Sequence, residues 1–152
     1  MDMQARINAA LREAMKSKDS GRLSTLRLIN AAIKDKDIAL RSAGESEGVS
    51  DAEVLGILEK MVKQRRESVR AYEEGGRLDL AEREREEIDV IEEFLPRRLS
   101  RDEVRAAVDK AIRETDASSI RDMGRVIGTL KARYPGQMDF GEVGPMVKER
   151  LG

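Results

Sequence analysis

The chain contains no cysteine, no histidine and no tryptophan, and only two tyrosines and two phenylalanines among 152 residues. Without cysteine there is no disulfide framework, no thiolate metal site and no cysteine nucleophile. Without histidine the commonest general base and the commonest metal ligand are both missing. An aromatic content of 3% disfavours strands, which draw on aromatic and β-branched residues, and removes the stacking platforms that grip single-stranded nucleic acid. No apolar run approaches the ~18 residues of a membrane span. The opening MDMQARINAALREAMK is amphipathic and lacks the apolar core of a secretory signal, so a cytoplasmic protein is expected.

What is present in quantity is charge. Charged residues make up 39% of the chain, matching the hydrophobic share, and nearly cancel at a net −1. Their distribution is uneven. Residues 1–95 hold 17 Lys and Arg against 21 Asp and Glu, whereas residues 96–152 hold 12 against 9. The C-terminal third is therefore the better place for an anionic partner.

Apolar residues recur at helical spacing almost throughout. Ile7, Leu11, Ala14 and Met15 predict a first helix. Leu23, Leu26, Ile29, Ile33 and Leu40 predict a second, after a break near Gly21. The small and polar stretch 42–50 reads as a loop. Ser50 and Glu53 have capping-box spacing ahead of a long third helix carrying Val54, Leu58, Met61, Val62, Val69 and Tyr72. Gly75 and Gly76 suit its C-terminal cap. Ala81, Ile88, Ile91 and Leu95 mark a fourth helix that stops before Pro96, since the residue preceding proline avoids helical geometry. Beyond Pro96 the helices shorten. Ser100 and Glu103 form a second capping-box pair before Val104, Val108, Ala111 and Ile112. Residues 119–134 predict another helix, and Asp139 with Glu142 opens a last one bearing Val143, Val147 and Leu151. The expected fold is all-α: an N-terminal antiparallel helical domain over 1–95, then a small three-helix domain over 96–152.

Three features bear on chemistry. In AEREREEIDVIEEF, Glu82, Glu86, Asp89 and Glu93 share a helix face. A di-iron bundle site would pair such carboxylates with Glu-x-x-His motifs, which a chain without histidine lacks. Arg83–Glu87 and Arg85–Asp89 are spaced as i,i+4 ion pairs, so a solvated, salt-bridged face is expected and no metal. Lys60, Lys63, Arg66 and Arg70 line a basic side of the third helix, either a solubilising surface or a docking face for RNA or protein. No nucleophile–base pair, Ser-x-x-Lys, phosphate-cradling loop or dinucleotide fingerprint occurs, so no catalytic residue and no cofactor are expected.

The third feature is SIRDMGRVIGTLKARYPG, residues 119–136. At ~100° per residue, Ile120, Met123, Ile127, Leu130 and Tyr134 form a core stripe. Gly124 and Gly128 fall beside it, with Arg121 and Arg125 beyond them and Lys131 near the helix end. Each helical glycine costs roughly 0.5–1 kcal/mol relative to alanine. Such a bare strip admits either a neighbouring helix or a bulky anionic backbone whose phosphates meet the arginines.

Together with AMKSKDSGRLSTLRLINAAIK (14–34), KQRRES (63–68), YEEGGRLDLAEREREEIDVIEEFLP (72–96) and DMGRVIGTL (122–130), this stretch makes the chain resemble the GatB/YqeY family, specifically its stand-alone YqeY-like members. The glycine-rich family motif falls on Met123, Gly124, Arg125, Val126, Ile127 and Gly128, with arginine at 125 where lysine is usual. The resemblance implies a helical domain followed by a small helical one. It also implies kinship with the tail of the B subunit of a glutamine-dependent aspartyl/glutamyl-tRNA amidotransferase. That tail helps hold tRNA while catalysis occurs elsewhere in the complex. The family-level label that follows is carbon–nitrogen ligase activity with glutamine as amido-N donor. For a stand-alone chain the implied role is a tRNA-binding or tRNA-handling accessory, with a protein-interaction adaptor as the alternative.

Overall fold

The structure, a computed structural model, describes residues 2–45 and 48–152. It is all-helical, with no strand among the described residues. Ser46 and Glu47, inside the expected 42–50 loop, lie outside the described residues. The chain divides into two compact units, Met1–Leu95 and Pro96–Gly152.

The first unit holds α1 (Met3–Ser17), α2 (Ser20–Ser42), α3 (Asp51–Glu74) and α4 (Leu78–Glu92). Each start has a local cause. Asp2 and Asp19 accept hydrogen bonds from the backbone N–H of Ala5 and Arg22, capping α1 and α2. Ser50 and Glu53 close the expected reciprocal box on α3. The break between α1 and α2 falls at Lys18, whose φ of 58° is left-handed, rather than at Gly21, which lies inside α2. The aspartate cap at position 19 outweighs the glycine as a helix-start signal. Gly76, at φ 72°, ends α3, and the Arg77 N–H reaches back 2.8 Å to the Tyr72 carbonyl.

Ile7, Leu26, Ile29, Val54, Leu58 and Ile91 are fully buried and form the centre of this unit's core. Met15, expected in that core, is 53% exposed. α3 and α4 are braced across their interface by Arg65–Glu87 at 2.9 Å, Arg66–Glu92 at 3.6 Å and Arg85–Glu73. The expected Arg83–Glu87 and Arg85–Asp89 pairs within α4 do not form. Glu87 and Arg85 pair instead with residues of α3, where a packed neighbouring helix holds the partner closer than a turn of their own.

The second unit holds α5 (Arg101–Glu114), a short 3₁₀ turn (Ile120–Asp122), α6 (Met123–Arg133) and α7 (Phe140–Leu151). Ser100 and Glu103 close the box on α5. Asp139 caps α7 by accepting from the Gly141 N–H at 2.9 Å, without a reciprocal bond from Glu142. The core is built from small and medium side chains: Val108, Ala111, Val126, Leu130, Val143 and Val147.

Candidate functional site

α6 begins with an anchor. The Asp122 carboxylate accepts from the backbone N–H of Ser118 at 2.9 Å and of Ser119 at 3.3 Å. The Arg125 guanidinium lies 2.6 Å away on its other oxygen. These backbone bonds first, and Arg125 second, hold the Asp122 carboxyl below its ordinary value. At the far end, Lys131 and Arg133 sit in the last turn, where cations suit the exposed carbonyls. Arg133 pairs with Glu114 of α5, and the Lys131 ammonium stands 5.8 Å above the Phe140 ring.

The buried face differs from the expected stripe. Val126 and Leu130 are fully buried, Met123, Ile127 and Tyr134 partly so, and Ile120 is 50% exposed. Ile120 belongs to the 3₁₀ turn that precedes α6, so it is not part of that helix's stripe. Within α6, Val126 lies ~40° from Leu130, on the side away from Ile127 and the glycines. With the buried face recentred on Val126 and Leu130, Gly124 and Gly128 move from the margin of the core to the far side of the helix.

Both glycines are exposed, and a Cβ built on either meets nothing within 4 Å. Among the described residues, no helix of this unit packs against them. Gly144 of α7, by contrast, packs against α6: it is buried with the Met123 side chain 3.7 Å from its would-be Cβ. Sequence spacing gave no hint of it, because Gly144 precedes Pro145 and reads as a breaker. Arg121, Gly124, Arg125, Gly128 and Lys131 are all exposed. Arg121 makes no ion pair among the described residues, whereas Arg125 is partly neutralised by Asp122.

The secondary basic face is less uniform. Lys60, Lys63, Arg66 and Arg70 are exposed on α3, but Arg66 is drawn to Glu92. On α4, Glu82 pairs with Arg85 and Glu93 with Arg22. Among the described residues, no three His, Cys, Asp or Glu side chains converge as a metal site. Among them too, no helix is long and apolar enough to cross a membrane.

Known proteins extend these observations. A protein from Schizosaccharomyces pombe described as uncharacterized, C22F3.15, is 30% identical over 65% of this chain and 76% of its own length. Altered inheritance of mitochondria protein 41, mitochondrial, from Lachancea thermotolerans is 30% identical over 62% of this chain and 49% of its own. The protein of the same name from Pyrenophora tritici-repentis is 26% identical over 97% and 80%. This chain thus spans about half the length of the Lachancea relative. The family model described as Yqey-like protein matches residues 4–151, so nearly the whole chain, both helical units included, belongs to the YqeY-like family.

Proposed function

We propose that the chain is a non-catalytic, cytoplasmic helical module that binds tRNA, or a complex handling tRNA, through the outer face of α6. One observation carries this reading: Gly124 and Gly128 leave helix backbone bare to solvent, beside exposed Arg121 and Lys131, with no packing need inside the chain. A helix that forgoes two side chains loses stability without gaining contact. The open strip gives a phosphate backbone room to approach, and the cations supply the charge it requires. The net +3 of residues 96–152 supports the same reading.

Filter retention of tRNA at several salt concentrations tests it. The double change Arg121→Ala/Arg125→Ala should weaken binding and reduce the salt slope by up to ~2, about one for each phosphate contact. Unchanged affinity and slope would sink the proposal. The second reading is a protein adaptor, favoured by the same open i,i+4 glycines, which suit a foreign helix. Gly124→Leu should then remove a protein partner while RNA binding, where present, persists.

A further inference from the structure

The α1–α2 hairpin carries a surface that neither the core nor the α6 face uses. Among the described residues, three of the five exposed large hydrophobic side chains lie on it: Met15 at 53%, Leu28 at 45% and Ile38 at 55%. They are not scattered. At ~100° per residue, Leu28, Ala31 and Ile38 share one outward stripe of α2, on the side away from buried Leu26, Ile29 and Ile33. α2 therefore carries large apolar side chains on its outward as well as its buried side, the outward ones interleaved with Ser24 and Asp35. The stripe opens at its N-terminal end into a groove of about 340 Å³ lined by Ser20, Leu23, Ser24, Arg27 and Leu28. Asn30 donates to Asn8 at 3.3 Å across the hairpin, which sets the register and puts Met15 level with Leu23.

Cations edge this surface. Arg27 and Lys34, seven residues apart, run along the side of the stripe nearer α1, and Arg12 and Lys16 are exposed on α1 itself. None of the four makes an ion pair among the described residues, although twelve ion pairs form elsewhere among them. Residues 12–36 hold seven Lys and Arg against three Asp and Glu. All three of these acids are exposed, and Asp35 lies within the stripe, between Leu28 and Ala31 around the helix.

We infer that this face docks an acidic amphipathic helix of another protein. The partner's apolar residues would lie along Leu28, Ala31 and Ile38, with one seated in the groove. Its carboxylates would meet Arg27 and Lys34. Charge complementarity selects the sign, and the apolar stripe selects the class. A phosphate backbone gains nothing from exposed leucine and isoleucine, and the face has no aromatic ring on which a base stacks. The chain's own acidic helix, α4, exposes a single large hydrophobe, Leu78, and so offers no matching stripe to a second copy. The open depression beside Leu28 offers a seat to one partner side chain.

The test is fluorescence anisotropy with the full chain and a designed helical peptide. The peptide has leucines at i, i+3, i+7 and i+10, with glutamates along one edge. It should bind, and a scrambled peptide of the same composition should bind at least ~10-fold more weakly, having lost its apolar stripe. Leu28→Ser and Arg27→Glu/Lys34→Glu should each weaken binding by ~10-fold or more. A peptide with lysines replacing its glutamates should restore binding to the charge-reversed variant, which shows that variant to be folded. Arg121→Ala/Arg125→Ala should leave peptide affinity unchanged, separating this surface from α6. The inference is overturned by no binding, by equal binding of the scrambled peptide, or by failure of the charge swap to rescue. It is equally overturned when Leu28→Ser affects anionic vesicle binding, RNA binding or self-association in sedimentation but leaves peptide binding unchanged.

Discussion

The two units spend their charges differently. In the first, α4 is densely acidic, yet many of its carboxylates are engaged in holding helices together: Glu87 and Glu92 reach α3, and Glu93 reaches Arg22 of α2. In the second, charges concentrate at helix ends. Glu103 accepts from the Ser100 backbone and from Arg97, and Asp122 from Ser118 and Ser119. Arg121 in the 3₁₀ turn and Lys131 at the end of α6, the shortest helix, are left exposed, and neither pairs with a carboxylate among the described residues. Charge density in the sequence is thus a poor guide to available charge. Both units also pair charges between helices, Arg133–Glu114 and Arg150–Asp109 in the second, while Arg27 and Lys34 of the long α2 make no ion pair among the described residues.

The largest expected effects test the cores. Leu58→Ala in the first unit and Leu130→Ala in the second each empty a fully buried position. Each should cost about 2–5 kcal/mol in chemical denaturation. The Leu130 value should fall nearer the low end, because the valine and alanine neighbours leave a smaller unit freer to collapse around the gap. The reverse order would break that part of the comparison.

Next come the caps. Ser100→Ala should cost on the order of 1 kcal/mol of stability, and the loss should depend on pH. The Arg97 guanidinium and the Ser100 backbone N–H hold the Glu103 carboxyl down to about 2, against an ordinary 4.5. A lowered acid adds stability above its unfolded value and loses it as pH falls through the folded one. Melting of the second unit should therefore worsen from about pH 4.5 towards 2, and Glu103→Gln should flatten that slope. Glu84 on α4 has the opposite sign. Burial first, and neighbouring Glu87 second, raise its carboxyl above the usual value. Its ionised form opposes folding, so Glu84→Gln should raise the melting temperature at neutral pH and have little effect once the pH is low enough to protonate the carboxyl. A fall in melting temperature at neutral pH would contradict this.

The smallest effect is the most informative. Gly124→Ala and Gly128→Ala should each stabilise by about 0.5–1 kcal/mol, since alanine fits a helical site with nothing within 4 Å of its Cβ. Destabilisation would mean that the strip has a packing role within the chain. Stabilisation accompanied by weaker tRNA binding would mark it as a surface kept bare for an outside partner.

Much of this was legible from residue order. The capping boxes at Ser50 and Ser100 formed as spaced, because a cap is a contact within four residues and answers only to local geometry. The all-α class followed from apolar spacing and the shortage of aromatic residues. The start of α2 is set by Asp19, which accepts from the Arg22 N–H, while Gly21 lies inside the helix. Gly124, Arg125, Gly128 and Lys131 lie exposed on α6, and Arg121 lies exposed in the 3₁₀ turn before it. The buried stripe differs from the projection because Ile120 lies in a 3₁₀ turn outside α6 and the buried face centres on Val126 and Leu130.

The sequence by itself therefore determined the helices, most of their caps and the family to which the chain belongs, all properties set by neighbours along the chain. Only tertiary structure decided which charges are spent. It turned Glu87 and Arg85 towards α3, buried Gly144 against Met123 and left Gly124 and Gly128 facing open space. The physical reason is that an ion pair or a close approach depends on which helix packs alongside. Spacing along one helix cannot specify its neighbour, nor reveal that the α1–α2 hairpin would expose a second apolar stripe.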